Sequence, residues 1–283
     1  MSAPAPPEIE RAVAKAREFV GARGSVLARE RLDALLGAAR PAGRIEAALA
    51  AWRCGDGGFA RLALPPPLLP ARGSVAGALE ALGVLDEAKI RRGPLAEGIA
   101  AWLAPAQGDD GAWRAAPAEG LSPEDADPVF LTGMIAGHLS KLVCGSPRTL
   151  ERAEAFLASR FTPDLLEAGD WRPLTAYAHL CANGASELAD EALPWCGRAL
   201  EKGLRSGRIG SLDAARALVL GDVRTLPGAT VDTDGVGRAL VAAQGPDGSF
   251  AAGGSTHDRV EATLLGVRAL VRARRRSAAW TPA

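Results

Sequence analysis

Three carboxylates stand close together in this 283-residue chain, directly before a long apolar segment. Glu124, Asp125 and Asp127 precede Pro128, and the segment from 130 to 139 has the spacing of a helix. Clustered carboxylates and apolar surroundings both raise a carboxyl pKa, so such an acid could stay protonated at neutral pH and donate a proton. The pattern also has a purely structural interpretation, because Asp before Pro in a first helical turn is an ordinary N-cap.

A polar turn occurs three times between predicted helices. Its copies are Gln244-Gly-Pro-Asp247-Gly248-Ser-Phe250, Gln107-Gly-Asp-Asp110-Gly111-Ala-Trp113 and Arg53-Cys-Gly-Asp56-Gly57-Gly-Phe59. Asp-Gly predicts a tight turn in which glycine takes a positive φ and the Asp side chain bonds nearby backbone N–H groups. The aromatic residues that end the three copies are Phe59, Trp113 and Phe250. The first gap is 54 residues, and the second is 137, close to three units of 46. This spacing is typical of a helical repeat array.

Helical patterns fill most of the chain, and no run of residues predicts a strand. Twelve helices are predicted, and they form six pairs. Their ranges are 8–22, 25–38, 43–52, 73–84, 94–104, 127–143, 147–160, 172–183, 187–204, 211–221, 230–243 and 257–274. Six pairs could form an open solenoid or close into an (α/α)6 toroid, and apolar residues on the first and last helices favour closure. We expect one domain over 8–276, with a disordered tail at 1–7 and a C-terminal tail at 277–283.

The repeated turn resembles the QW-type repeat of the terpenoid cyclase and protein prenyltransferase superfamily. The resemblance implies an (α/α)6 barrel over nearly the whole chain, in which the turns tie outer helices to inner ones. The carboxylate cluster is similar to the DxDD-type motif of class II terpene cyclases. Asp125 and Asp127 match its first and third positions, while Pro128 stands where the family has its last Asp. The resemblance implies that Asp127 protonates a linear isoprenoid to start cyclisation, with Asp125 tuning its pKa.

The same resemblance implies residues that line a central cavity. Aromatic faces stabilise carbocations by cation–π attraction, and the expected lining is Phe130, Trp171 and Tyr177. Three arginines precede or begin predicted inner helices: Arg72, Arg172 and Arg208. Together they could bind a diphosphate, and Mg²⁺ could accompany a diphosphate substrate. Each of these arginines could instead be a surface ion-pair partner. Loops at the cavity mouth add His257, Asp258, Asp170 and Glu261.

Two other function classes fit the same pattern. A prenyltransferase-like transferase would need zinc, but no Asp-x-Cys precedes His257, and only a site built from His138, His179 and His257 is conceivable. The other alternative is a non-catalytic barrel that binds a lipid-like ligand or a protein partner, with the acidic pair acting only as a cap. We expect no resident cofactor, apart from Mg²⁺ with a diphosphate substrate and zinc in the transferase alternative.

Net charge and cysteine content indicate which partners and which cellular compartment the sequence favours. Thirty-three basic and thirty-three acidic residues cancel, so net charge predicts no nucleic-acid partner. Four scattered cysteines without a CxxC pair favour a reducing cytoplasm, and neither a signal sequence nor a membrane span is predicted.

The loop at 62–70, Leu-Ala-Leu-Pro-Pro-Pro-Leu-Leu-Pro, is unusually apolar. It could be a rigid connection, a substrate entrance or a peripheral membrane contact. The sequence leaves the oligomeric state open.

Overall fold

The structure is a computed structural model that describes residues 6–38 and 41–278. These residues form α- and 3-10 helices and no strand, with one isolated β-bridge between Arg53 and Phe59. The α-helices are α1 (Pro6–Arg23), α2 (Val26–Leu35), α3 (Pro41–Leu49), α4 (Val75–Glu87), α5 (Pro94–Ala106), α6 (Pro128–Leu139), α7 (Pro147–Arg160), α8 (Pro163–Glu167), α9 (Trp171–Asn183), α10 (Ala189–Ser206), α11 (Ser211–Leu220), α12 (Thr233–Ala243) and α13 (Thr256–Ala278). The predicted all-α class is confirmed.

Each of the twelve predicted helices corresponds to one helix of the structure, and the short α8 is the one that the pattern missed. At five residues α8 is too short for helical periodicity to show, although Thr162 caps it by accepting from the Leu165 N–H. The predicted tails extend too far into the chain at both ends. Helix α1 begins at Pro6 and α13 continues to Ala278. Residues 1–5 and 279–283 lie outside the described part of the chain.

Six helices contact one another in chain order, and the order returns to its start. Helices α2, α4, α6, α9, α11 and α13 each contact the next, and α13 contacts α2. The alternate helices α1, α3, α5, α7, α10 and α12 each pack beside members of this set. Small residues permit the closest of these approaches. A Cβ added at Gly133 of α6 would meet the Ala176 Cβ of α9 at 2.6 Å, and one at Gly137 would meet the His179 ring.

The repeated turns join neighbouring helices of the alternate set. The buried Gln107 amide donates to the carbonyls of Gly111 and Thr149, so it links the end of α5 to α7. The Gln244 amide donates to Gly248 and Ala12 and links the end of α12 to α1 in the same way. The predicted structural role of these glutamines, which is to bond backbone groups, is confirmed.

The aspartate and the aromatic of each turn also take the predicted structural positions. Asp110, Asp247 and Asp56 each accept from the backbone N–H two residues later. The aromatic that follows is buried in all three copies, and Trp113 also donates its ring N–H to the Leu103 carbonyl at 2.9 Å. In the third copy the guanidinium of Arg53 lies beside Gly57 and Gly98 of α5. Arginine there occupies the place of the bridging glutamine.

Candidate functional site

Asp127 caps helix α6. Its Oδ1 accepts from the backbone N–H groups of Val129 at 2.8 Å and Phe130 at 3.2 Å, and the residue is exposed. This geometry confirms the capping interpretation of the Asp-Pro sequence, because a side chain that satisfies the first-turn donors is an N-cap. The catalytic role of Asp127 stays a prediction.

Asp125 forms an ion pair that crosses from the loop before α6 to the start of α9. The Arg172 Nε donates to its Oδ1 at 2.7 Å, and the same guanidinium bonds Asp170 at 3.3 Å. Arg172 therefore holds two of the predicted mouth carboxylates at once. Although burial alone would lower the pKa of Arg172, these two carboxylates raise it above its ordinary value, so its charge is fixed.

Two of the three predicted lining aromatics meet beside this ion pair. The rings of Phe130 and Trp171 pack edge to face with centroids 5.5 Å apart. The guanidinium of Arg172 lies 4.9 Å from the Trp171 ring centroid, and that of Arg216 lies 4.7 Å from it. The face of Trp171 is thus occupied by protein cations, which reduces what it could offer to a substrate cation.

Tyr177, Arg72 and Arg208 complete the set of predicted aromatics and arginines. Tyr177 is fully buried, and its hydroxyl donates to the Leu157 carbonyl of α7 at 2.9 Å, so the side chain faces the neighbouring helix. Arg72 is exposed beside a surface groove near Asp56, and Arg208 is exposed with its side-chain carbons against Gly169. The joint binding of a diphosphate by Arg72, Arg172 and Arg208 stays a prediction.

A cavity of about 380 Å³ lies between α2, α4, α6, α11 and α13, and we call it the charged cavity. Phe130, His257 and Asp258 line it, as predicted. Asp258 also accepts from the N–H and hydroxyl of Ser255, so it belongs to the cap of α13. The other lining residues are Arg31, Arg61, Leu62, Leu79, Glu80, Gly83, Glu87, Met134, His138, Arg216, Leu220, Glu261, Ala262, Leu265 and Arg268.

Most of the charges in this cavity are already paired. Arg31 donates to both carboxylate oxygens of Glu261, at 2.6 and 3.0 Å, and to Glu87 at 2.7 Å. Burial alone would raise the pKa of Glu261, but the Arg31 guanidinium lowers it below its usual value. Arg61 pairs with Glu80 in the same way. Glu261 therefore stays ionised at neutral pH and is a poor proton donor.

A second ion-pair network is centred on Asp86, which is 2% exposed. Arg268 and Arg91 each approach its carboxylate to 2.7 Å, and Lys141 lies at 3.3 Å. Burial opposes ionisation of Asp86, yet these cations hold its pKa far below the ordinary range. Lys141 also donates to the Leu220 carbonyl, so the network connects α4, α11 and α13.

The imidazoles of His138 and His179 stack edge to face, with centroids 4.4 Å apart. Burial lowers the pKa of His138 to about 3 and that of His179 well below its ordinary value, so both rings are neutral at pH 7. His179 Nδ1 lies 2.9 Å from the Leu220 carbonyl. Within residues 6–38 and 41–278, no three His, Cys, Asp or Glu side chains come together to hold a metal ion. The conceivable three-histidine site is therefore not formed.

An apolar pocket of about 550 Å³ adjoins the charged cavity, between α2, α3, α13 and the loop at 62–66. Both spaces share Leu62, His257 and Glu261 as lining residues. The remaining lining includes Val26, Leu27, Ala28, Ala48, Ala51, Trp52, Leu64, Pro65, Pro66 and Val260. The predicted apolar loop thus forms one wall of the pocket, with Leu62 buried and Leu68 70% exposed. No helix in the described ranges is long and apolar enough to cross a membrane.

Two arginines that line the charged cavity, Arg31 and Arg216, were not predicted as site residues. Arg216 had a visible signal, because it is the one charged residue in the otherwise apolar segment from Ala214 to Leu220. Arg31 had none, because alternating charged residues around it look like an ordinary exposed helical face.

Comparison with known proteins gives no assignment. No family model matches the chain, and no curated protein shows significant similarity to it. The resemblance to the terpenoid cyclase superfamily therefore rests on the turn residues and on the carboxylate cluster.

Proposed function

We propose that the twelve long helices form an (α/α)6 toroid and that its interior binds a lipid-like, isoprenoid-type molecule. The order of helix contacts supports a toroid, since six helices contact in sequence and the last returns to the first. The three turns support it as well, because they join successive members of the alternate set. In this arrangement α2, α4, α6, α9, α11 and α13 are the inner helices.

The observation that carries the binding proposal is the junction of the apolar pocket with the charged cavity. Ligand sites are concave and mostly apolar, with a few polar groups that fix orientation. The pocket of about 550 Å³ has that size and character, and Leu62, His257 and Glu261 open it toward polar side chains. A chain-like apolar body fits the pocket, and a polar end group fits the charged cavity.

The test is an isothermal titration with farnesol, a linear isoprenoid alcohol. Ala48 lines the pocket, so in the variant Ala48→Phe a ring fills part of the space and we expect at least tenfold weaker binding. Ala47, the neighbouring exposed residue of α3, provides the matched control, and Ala47→Phe should bind like wild type. Equal affinity of the two variants, or no binding by wild type, would contradict the proposal.

Protonation-initiated cyclisation of the bound isoprenoid is the second candidate function. The contact between Phe130 and Trp171 favours it, since predicted lining aromatics do come together beside Asp125. In this proposal Asp127 is the acid. Its Oδ1 keeps the two backbone hydrogen bonds of the cap, and its Oδ2, which takes no part in them, carries the proton.

A further inference from the structure

Arg216 differs from the other guanidinium groups that line the charged cavity. Arg31, Arg61 and Arg268 each form ion pairs with carboxylates. Arg216 forms none within the described chain, and its buried Nε has no hydrogen-bond partner. Its guanidinium carbon lies 4.7 Å from the centre of the Trp171 ring.

The carboxylates nearest to Arg216 are committed to other donors. Asp213, Asp125 and Glu261 act on its charge from beyond ion-pair distance. Glu261 is held by both terminal nitrogens of Arg31, and Asp125 is held by Arg172. The carboxylate of Asp213 is directed to the backbone N–H of Gly210. None of the three comes within ion-pair distance of Arg216, so this buried cation lacks the hydrogen-bonded counter-ion that such a charge usually has.

We propose that Arg216 binds the carboxylate of the ligand, and that the physiological ligand is a lipid-like monocarboxylic acid. This inference rests on the proposed binding function and identifies the end group of its ligand. A carboxylate matches the planar fork of a guanidinium with two parallel hydrogen bonds. The Trp171 face orients the guanidinium from one side, and Phe130, which packs against Trp171, lines the same cavity.

The charges of the cavity favour a single negative charge over two. One guanidinium is without an ion pair, whereas Glu80, Glu87, Asp258 and Glu261 already line the space. A carboxylate neutralises Arg216 without adding further negative charge. A phosphate monoester carries about −1.5 to −2 charges at pH 7. Its excess charge would be repelled by Glu87 and Glu261, which share the single positive charge of Arg31.

The test compares three probes that share one chain, farnesoate, farnesol and farnesyl monophosphate, by isothermal titration at constant salt. Wild type should bind farnesoate at least tenfold more tightly than farnesol and more tightly than the monophosphate. In Arg216→Met the preference for farnesoate over farnesol should disappear, while farnesol affinity changes by less than threefold. Arg216→Lys keeps the charge without the fork, so an intermediate preference is expected and serves if the methionine variant does not fold. Arg29→Met removes an exposed arginine of α2 and should behave like wild type.

The outcomes separate the two proposals. Farnesol binding without any preference for farnesoate would overturn the role of Arg216 and leave the binding function intact. A preference for farnesoate that survives in Arg216→Met would also overturn the role of Arg216. Tighter binding of the monophosphate than of farnesoate would overturn the choice of a carboxylate. Failure of wild type to bind either farnesol or farnesoate would overturn both proposals.

Discussion

Two of the turn glycines, Gly111 and Gly248, are positions where no side chain has room. Gly111 has φ of 88°, and a Cβ added there would lie 2.1 Å from the Arg152 carbonyl oxygen of α7. Gly248 has φ of 90° and the same relation to the Lys15 carbonyl of α1. The two copies match in geometry because each turn lies against the backbone of the next helix of the alternate set. Glycine is required there for conformation and for space.

We predict that Gly111→Ala lowers the free energy of unfolding by about 3 kcal/mol, because it combines an unfavourable positive φ with a backbone clash. Gly21 of α1 is the matched control, since an added Cβ there meets nothing within 4 Å. Gly21→Ala should raise the free energy of unfolding by about 0.5–1 kcal/mol through helix propensity. Urea denaturation at pH 7 measures both. Similar effects of the two substitutions would show that the turn does not press against α7.

The buried histidines give the protein a pH-dependent stability. The folded-state pKa of His138 is about 3, whereas the ordinary pKa is 6.5. Between these two pH values the imidazole of His138 is protonated in the unfolded chain and neutral in the folded protein. The free energy of unfolding should therefore fall as pH drops below about 6.5, by up to about 1.4 kcal/mol per pH unit for each histidine. Denaturation between pH 6 and 5 isolates this effect from most carboxylates. His138→Gln should make the slope smaller by about that amount, and an unchanged slope would show that His138 does not titrate this way.

Local features of the candidate site could be predicted from the sequence, whereas contacts between distant residues could not. Asp127 could be recognised as a cap because the Asp-Pro pattern is local. The ion pair of Arg31 with Glu261 joins positions 230 residues apart in the chain, and no pattern within a short window reveals it. The contact of Tyr177 with α7 could not be predicted, because every residue from Pro173 to Cys181 is buried and no polar face indicates where a side chain of this helix points.

Secondary structure was predictable because proline and glycine mark the ends of most helices. Pro147 begins α7, and the predicted range of 147–160 matches its bounds. Proline also stands at the first position of α5, α6 and α8, where its missing N–H leaves no bond unmade. The end of α6 was placed four residues too late, because the Lys141-Leu-Val-Cys144 segment continues the apolar pattern without continuing the helix.

Helix α6 also provides the test that separates the cap from the catalyst. Asp127→Asn keeps a good N-cap but cannot donate a carboxylic proton, so we expect stability within about 0.5 kcal/mol of wild type. Asp127→Ala removes the cap and should cost about 1 kcal/mol in urea denaturation. Both variants are then incubated with linear isoprenoids and their diphosphates, and products are read by mass spectrometry. If Asp127 is the acid, a cyclic product of wild type disappears in Asp127→Asn. Product formation by that variant at the full rate excludes the role.

At the scale of the whole molecule, two chemically different spaces lie next to each other beside α2 and α13. Ion pairs among α2, α4 and α13 keep the charged cavity open, since packing paired charges against apolar groups would strip their remaining hydration. The apolar pocket lies between α2, α3, α13 and the loop at 62–66. This division suits a ligand with an apolar body and a polar end. A long polyene enclosed by aromatic rings fits it less well, because Phe130 is the one aromatic side chain lining the charged cavity.

The most direct test of the binding account is an experimental structure of the protein with farnesol. The account predicts an electron-density feature for the isoprenoid chain between α2, α3 and the loop at 62–66, with the hydroxyl near His257 and the charged cavity. The same structure would show whether the inner helices close into a ring. A pocket filled by the protein's own Leu64 and Pro65 side chains at saturating farnesol, or a ligand bound elsewhere, would contradict the account.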